Sequence, residues 1–164
     1  MSLPISHKVA PATEGDLPEL RELLASAGLS ADGLDDFLAT TLISRSRGKI
    51  IGCAALEIYA ASALLRSVAV DAGWQARGLG AELVEKAMRL AQSRQVNEMF
   101  LLTTTAAEYF ERHGFARCAR EEAPQAMQRS LEFTALCPAS AVCMRRTIEP
   151  PRPAIRTPRT PREE

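Results

Sequence analysis

The alternation of apolar and polar residues along the chain divides it into short strands and amphipathic helices. Leu17, Leu20, Leu23, Leu24 and Ala27 recur at helical spacing. Asp16 stands at the N-cap place, Pro18 in the first turn and Gly28 at the stop, which predicts one helix. A second, short helix is expected around "ADGLDDFLA". Three strand-like runs follow: "TTLISRS" (40–46), "KIIGCAALEI" (49–58) and "SALLRSVAV" (62–70). Leu79, Leu83, Val84, Ala87, Leu90 and Ala91 then mark one face of a long helix opened by Gly78. "NEMFLLTTT" (97–105) reads as a strand, and "AAEYFERHGF" as a helix stopped by Gly114. A short strand "FARCA", a short helix "PQAMQRSLEF" and a last strand "AVCMRRTI" (141–148) complete the pattern. A meander of strands before the first long crossover predicts a mixed α/β sheet.

The chain has 164 residues, enough for one domain with a substantial core. Residues 1–149 are expected to form it. The last segment, "PPRPAIRTPRTPREE" (150–164), carries too few apolar residues to pack and is expected to be a disordered Pro/Arg-rich tail. Lys+Arg and Asp+Glu are 20 each. That balance lacks the basic excess of a nucleic-acid binder. No run of apolar residues is long enough for a membrane span, and the N-terminus lacks a secretory core. A cytoplasmic location without membrane or nucleic-acid partners is expected. Cys53, Cys118, Cys137 and Cys143 form no C-x-x-C pair, and His7 and His113 do not cluster with them, so no metal site is expected.

The stretch "LLRSVAVDAGWQARGLGAELV" (64–84) carries the chemistry. Gly78 and Gly80 lie between a strand and a helix. The first N–H groups of a helix lack internal acceptors and sit at its positive end, so such a junction suits a pyrophosphate. Gln75 and Arg77 add side-chain donors. A Walker A loop would need G-K-[ST], and a Rossmann turn a third glycine where Leu83 stands. Taken alone, the loop is also compatible with a turn that merely starts a helix.

The whole pattern is more specific. Q-x-x-G-x-G directly after "SVAV", before a long amphipathic helix, resembles the acetyl-CoA signature of the GNAT superfamily of N-acetyltransferases. "YFERHGF" (109–115) matches the helix and G-F element that follows the next strand in that family. The resemblance extends over about residues 7–148 by element order. It implies a mostly antiparallel central sheet with splayed strands and flanking helices, and acetyl-CoA as co-substrate. Val68, Ala69 and Val70 would run along the pantetheine. Gln75, Ala76, Arg77, Gly78, Leu79 and Gly80 would hold the pyrophosphate. A backbone N–H near Val68 to Val70, with Val70 as the candidate, would stabilise the oxyanion after direct attack of an amine on the thioester.

"LLRSVAV" with "FLLTTTAAEYFERHGF" further resembles the branch that acetylates α-amino groups of glutamate and its analogues. The segment "PQAMQRSLEFTALCPASAVCMRR" is similar to the arsinothricin and phosphinothricin N-acetyltransferases of arsenic and herbicide resistance. Arg66 would bind a carboxylate as a bidentate fork, with Ser67 assisting. Arg66 is expected partly solvated at the cleft, and a surface ion pair is its other reading. Thr103 and Thr104, with Thr105, would serve the second anionic group, with Arg45, Arg47, Arg117 and Arg129 as unranked alternatives. Thr103 stands where many relatives have an Asn.

Glu57 is the base candidate, placed by alternation on the face of Ile51, Cys53, Ala55 and Tyr59. An exposed strand-end carboxylate is its alternative. Many relatives carry a Tyr where this chain has Phe110. Tyr109 stands one residue early, about 100° around a helix, and is expected at the co-substrate without the family's acid role. His113 reads as a helix C-terminal residue, and Cys137 as structural. Alternatives are an L-glutamate N-acetyltransferase of arginine biosynthesis, a protein or peptide acetyltransferase, and a non-catalytic acetyl-CoA-binding protein of the same fold. Relatives of this kind often dimerise, so a homodimer is expected.

Overall fold

The structure, a computed structural model, describes residues 8–150. The tail from residue 151 and the segment with His7 lie outside the described residues. The elements run β1 (Lys8–Pro11), α1 (Leu17–Ser26), β2 (Thr41–Ser46), β3 (Lys49–Tyr59), β4 (Ser62–Val70), α2 (Leu79–Ser93), β5 (Glu98–Thr103), α3 (Ala107–Arg112), β6 (Ala116–Cys118), α4 (Gln125–Gln128) and β7 (Val142–Thr147). The "ADGLDDFLA" stretch forms a 3₁₀ segment, Leu34–Thr40, kinked at Phe37. Asp16 does not cap α1 through its side chain. It accepts from Thr13 N and Thr13 Oγ1 at 2.8 and 3.0 Å and pairs with Arg45, fastening the start of α1 to β2.

The seven strands make one sheet in the order β1-β2-β3-β4-β5-β7-β6. Every pairing is antiparallel except β4 with β5. α1 covers one face, where Leu20, Leu23 and Leu24 pack with Ile43, Ile50, Cys53 and Ala55. The predicted stripe of α2 covers the other. Leu79, Leu83, Val84, Ala87 and Ala91 pack there against Ile51, Ala54, Leu56 and Leu65. Each fully hidden Leu in these layers contributes roughly 1.5–3 kcal/mol. A third cluster joins Phe100 and Cys143 to Met127 of α4 and to Phe133.

Two register shifts re-aim side chains. Ser44 pairs with Gly52 but Arg45 with Ile50, so Ile51 is an extra residue in β3. This bulge turns Ile51 to the α2 face, away from Cys53 and Ala55. The expected common face of Ile51 with Cys53, Ala55 and Glu57 is therefore broken at that residue. The second shift lies in β4, at the site.

Candidate active site

β4 and β5 pair over three residues only: Ser62 with Glu98, Ala63 with Met99 and Leu64 with Phe100. Beyond Leu64 they diverge and open a cleft in the middle of the sheet. On its other edge β4 stays paired with β3, but with a bulge. Cys53 faces Ala69 and Ala55 faces Arg66, leaving Ser67 and Val68 opposite Ala54. Ser67 has φ 55°, the left-handed region that L side chains rarely adopt. The Cys53 thiol donates to Ser67 O at 3.1 Å and secures that kink. Asp71 N donates to Ile51 O at 2.8 Å. By strand alternation the preceding amide, Val70 N–H, points to the opposite side, into the cleft.

One arm of the cleft is a groove of about 720 Å³. Val68, Ala69 and Val70 form its floor. Gln75, Ala76, Gly78, Leu79 and Gly80 form one wall, and Tyr109 the other. The loop is set by Asp71, whose carboxylate accepts from Gly73 N at 3.0 Å and pairs with Lys49 at 3.2 Å. The Gly73 amide, and then Lys49, hold its carboxyl below the usual range. Gln75 Nε2 donates to Val70 O at 3.2 Å, tying loop to strand. Ala76 and Gly78 are both left-handed, at φ 63° and 80°, which turns the chain sharply into α2. A Cβ added at Gly80 would sit 3.1 Å from Tyr109 Oη and 3.6 Å from Val70 Cγ2, so glycine keeps this cradle open. Amides at a helix start facing an apolar floor fit a pyrophosphate with an apolar arm behind it. Arg77 does not line this groove. Its guanidinium lies 5.1 Å above the Trp74 ring, beside a second hollow with Arg47 and Lys49.

The other arm is a cavity of about 400 Å³ that shares Val68, Thr105 and Ala106 with the first. Arg66, Ser67, Thr103 and Thr104 line it. Thr103 Oγ1 accepts from Ala106 N at 3.0 Å, which leaves its hydroxyl hydrogen for another partner. Contrary to the solvated placement expected, Arg66 is only 4% exposed. Its Nη1 donates to Glu57 Oε2 at 2.8 Å, its Nη2 to Asp32 O at 2.8 Å and its Nε to Ser67 Oγ at 3.1 Å. Nε also lies 3.3 Å from Glu132 Oε1.

Glu57 stands neither free at the cleft nor exposed at a strand end. It is buried behind Arg66, and its Oε1 accepts from Tyr59 Oη at 2.5 Å. Burial, and then Glu57 itself, push the Tyr59 phenol up, so it remains a donor. Both Glu57 oxygens are thus engaged, an arrangement suited to fixing Arg66 and not to accepting a proton.

Tyr109 and Phe110 divide between the arms as their one-residue offset predicts. Tyr109 faces the groove, half-buried, and burial raises its phenol pKa. Phe110 is buried edge-on to Phe115 and borders the cavity. His113 caps α3, its ring centroid 4.5 Å from that of Tyr109 and tilted by 46°. Arg45 is paired with Asp16 and Glu19, and Arg117 with Glu111. Neither of these, nor Arg47 or Arg129, is among the described residues lining the cavity. Glu132 and Cys137 do line it. Glu132 went unnoticed in the sequence because only the tertiary fold brings its short helical turn to β4. Cys137 Sγ donates to Glu132 Oε2 at 2.9 Å, and burial, then Glu132, push its thiol up to about 12. Among the described residues no cluster of metal-ligating side chains occurs, and no helix is long and apolar enough to cross a membrane.

Residues 38–117, which hold the diverging strands, the 75–80 loop and Tyr109, match the acetyltransferase (GNAT) domain family. An uncharacterized N-acetyltransferase of Chlorobaculum tepidum is 30% identical over 115 residues, 70% of this chain and 72% of that protein. An amino-acid acetyltransferase of Mycobacterium tuberculosis is 36% identical over 69 residues, 42% of this chain and 39% of that protein. N-acetylglutamate synthase of Neisseria gonorrhoeae, solved with coenzyme A and N-acetyl-glutamate, superposes with a TM-score of 0.77 at 21% identity. That fit covers 90% of this chain and 36% of the synthase, so the chain spans little more than a third of that longer protein. The cleft between β4 and β5, the family match and the Chlorobaculum relative agree: the chain belongs to the GNAT family of N-acetyltransferases.

Proposed function

We propose that this N-acetyltransferase moves the acetyl group of acetyl-CoA to the α-amine of a glutamate-like amino acid. The observation that carries this reading is the two-armed cleft. An apolar-floored groove with a helix-start cradle meets a polar cavity at Val68, on β4 where it has parted from β5. The groove residues named above would hold coenzyme A, which supplies the thioester. Likeness to amino-acid acetyltransferases supports an amino acid as acceptor.

Val70, on the groove floor two residues from the shared Val68, would donate its N–H to the carbonyl oxygen as it becomes an oxyanion. The acceptor's neutral amine adds to the thioester carbonyl to form the C–N bond, its proton passes to water in the polar cavity, and the adduct collapses by breaking the C–S bond and releasing CoA thiolate. Arg66 and Ser67 take one anionic group of the acceptor. Thr103 and Thr104 donate hydroxyls to the other. Glu57 serves as a positioning residue for Arg66. Tyr109, kept protonated by its burial, packs over Gly80 in the co-substrate arm.

Within this class, similarity of the 124–146 segment to arsinothricin and phosphinothricin N-acetyltransferases favours those glutamate analogues, whose acetylation removes the α-ammonium charge. The amino-acid acetyltransferase relatives favour L-glutamate itself as the second reading. The test is release of CoA thiol with arsinothricin, phosphinothricin and L-glutamate, compared as kcat/KM. Preference for an analogue supports detoxification, and preference for glutamate supports the second reading. No turnover with any of them refutes the acceptor class.

A further inference from the structure

Arg66 is the natural anchor for an acceptor carboxylate, yet its side chain is only 1% exposed. Its partners differ in kind. Asp32 contributes a backbone carbonyl. Glu57 sits on β3, its side chain 3% exposed and held by Tyr59. Glu132 begins a single π-helical turn, Glu132–Leu136, between α4 and β7. Its side chain is 14% exposed and lines the acceptor cavity. The backbone of this turn is tied down: Cys137 N donates to Glu132 O at 3.1 Å, and Arg120 Nη2 to Pro138 O at 2.5 Å. Among the described residues, the polar contacts of the Glu132 side chain are to Arg66 Nε at 3.3 Å and to the Cys137 thiol at 2.9 Å. Rotation about its own bonds would withdraw the Glu132 carboxylate from Arg66 Nε, with Nη1 and Nη2 still held by Glu57 and Asp32.

Charge makes that rotation selective. Arg66 already faces two carboxylates, Glu57 and Glu132. A third beside them would be buried without a counter-charge, which is costly. An incoming carboxylate that replaces Glu132 leaves the local charge unchanged. An amine without a carboxylate offers Arg66 no replacement partner.

We propose that Glu132 is a specificity-determining residue, a built-in carboxylate that covers Arg66 and is exchanged for a carboxylate of the acceptor. This rests on the glutamate-like reading of the cavity. It adds that acceptor affinity is set by competition between two carboxylates for one guanidinium.

The test uses glutarate, which carries two carboxylates and no amine, so its binding does not depend on turnover. Calorimetric titration of the full chain is run on wild type, Glu132→Gln and Glu132→Ala, with uncharged glutaramide as control. Removing the competing charge is expected to tighten glutarate binding by about tenfold, the scale of one charge-assisted contact, and to leave glutaramide unchanged. Thermal melting of each variant separates this from a structural role, which would lower Tm without any gain in glutarate affinity. Glutarate binding that is unchanged or weaker in both variants overturns the exchange. Tighter glutarate binding together with no acetyl transfer to L-glutamate, arsinothricin or phosphinothricin upholds the exchange and refutes the acceptor assignment. The converse pair of results does the reverse.

Discussion

Arg66 Nη1 and Glu57 Oε2 lie 2.8 Å apart with their side chains 1% and 3% exposed, a buried ion pair directly behind the acceptor cavity. Removing one member of such a pair strands the other charge. Glu57→Ala is expected to cost about 3–5 kcal/mol of stability by denaturant unfolding. The milder Glu57→Gln is expected to raise the acceptor KM and to leave the pH–rate profile in shape. A variant that folds normally but loses kcat, together with one limb of that profile, would make Glu57 the base instead.

Gly80 sits in the first turn of α2, where alanine is otherwise the better helix former. Gly80→Ala is therefore expected to melt close to wild type while its Cβ crowds Tyr109 Oη. The expected effect is a rise of about tenfold in KM for acetyl-CoA with the acceptor KM nearly unchanged, partly reversed by adding Tyr109→Phe. Equal effects on both substrates would separate this cradle from the co-substrate.

Gly52 is where β3 passes under α2. A Cβ there would meet Leu83 Cδ1 at 2.8 Å and Leu79 Cδ2 at 3.2 Å. Gly52→Ala is expected to destabilise by about 1–3 kcal/mol, as overpacking does. Combining it with Leu83→Val is expected to cost less than the sum of the two single changes. Strict additivity would show that α2 does not bear on this glycine.

Asp71 couples the co-substrate loop to pH. Its folded-state pKa lies below the unfolded value, so its contribution is present above the ordinary carboxylate pKa, about 3.9. That contribution is lost as pH falls through the depressed value. The Tm gap between wild type and Asp71→Asn is expected at pH 7 and is expected to close in acid. A gap that stays constant as pH is lowered from 7 through and below the ordinary carboxylate range would refute the carboxylate's role.

What could be read from the sequence was local. Strand limits, the α2 stripe, the 75–80 loop and the offset of Tyr109 from Phe110 follow from periodicities of 2 and 3.6 and from neighbouring residues. β1 escaped notice because four residues, Lys8–Pro11, are too few to show a period. The bulges at Ile51 and at Ser67 depend on the register of partner strands, which no single segment encodes. The burial of Arg66 follows from these. It was expected at a wet edge, but Glu57, Asp32 and Glu132 converge on it from three separate parts of the chain. The divergence of β4 from β5 was foreseen through family resemblance and not through any property of either strand alone.

Direct transfer between the two arms is the central claim. Cys137 is the one cysteine lining the acceptor cavity, and with its thiol pushed up to about 12 it stays protonated near neutral pH. An acetyl-cysteine intermediate is not expected. The decisive measurement is the initial rate of CoA-thiol release with acetyl-CoA and L-glutamate, or the preferred analogue, both varied. Converging double-reciprocal lines, with Cys137→Ser retaining turnover, are the predicted result. Parallel lines with an acetyl group found on Cys137 would contradict the account.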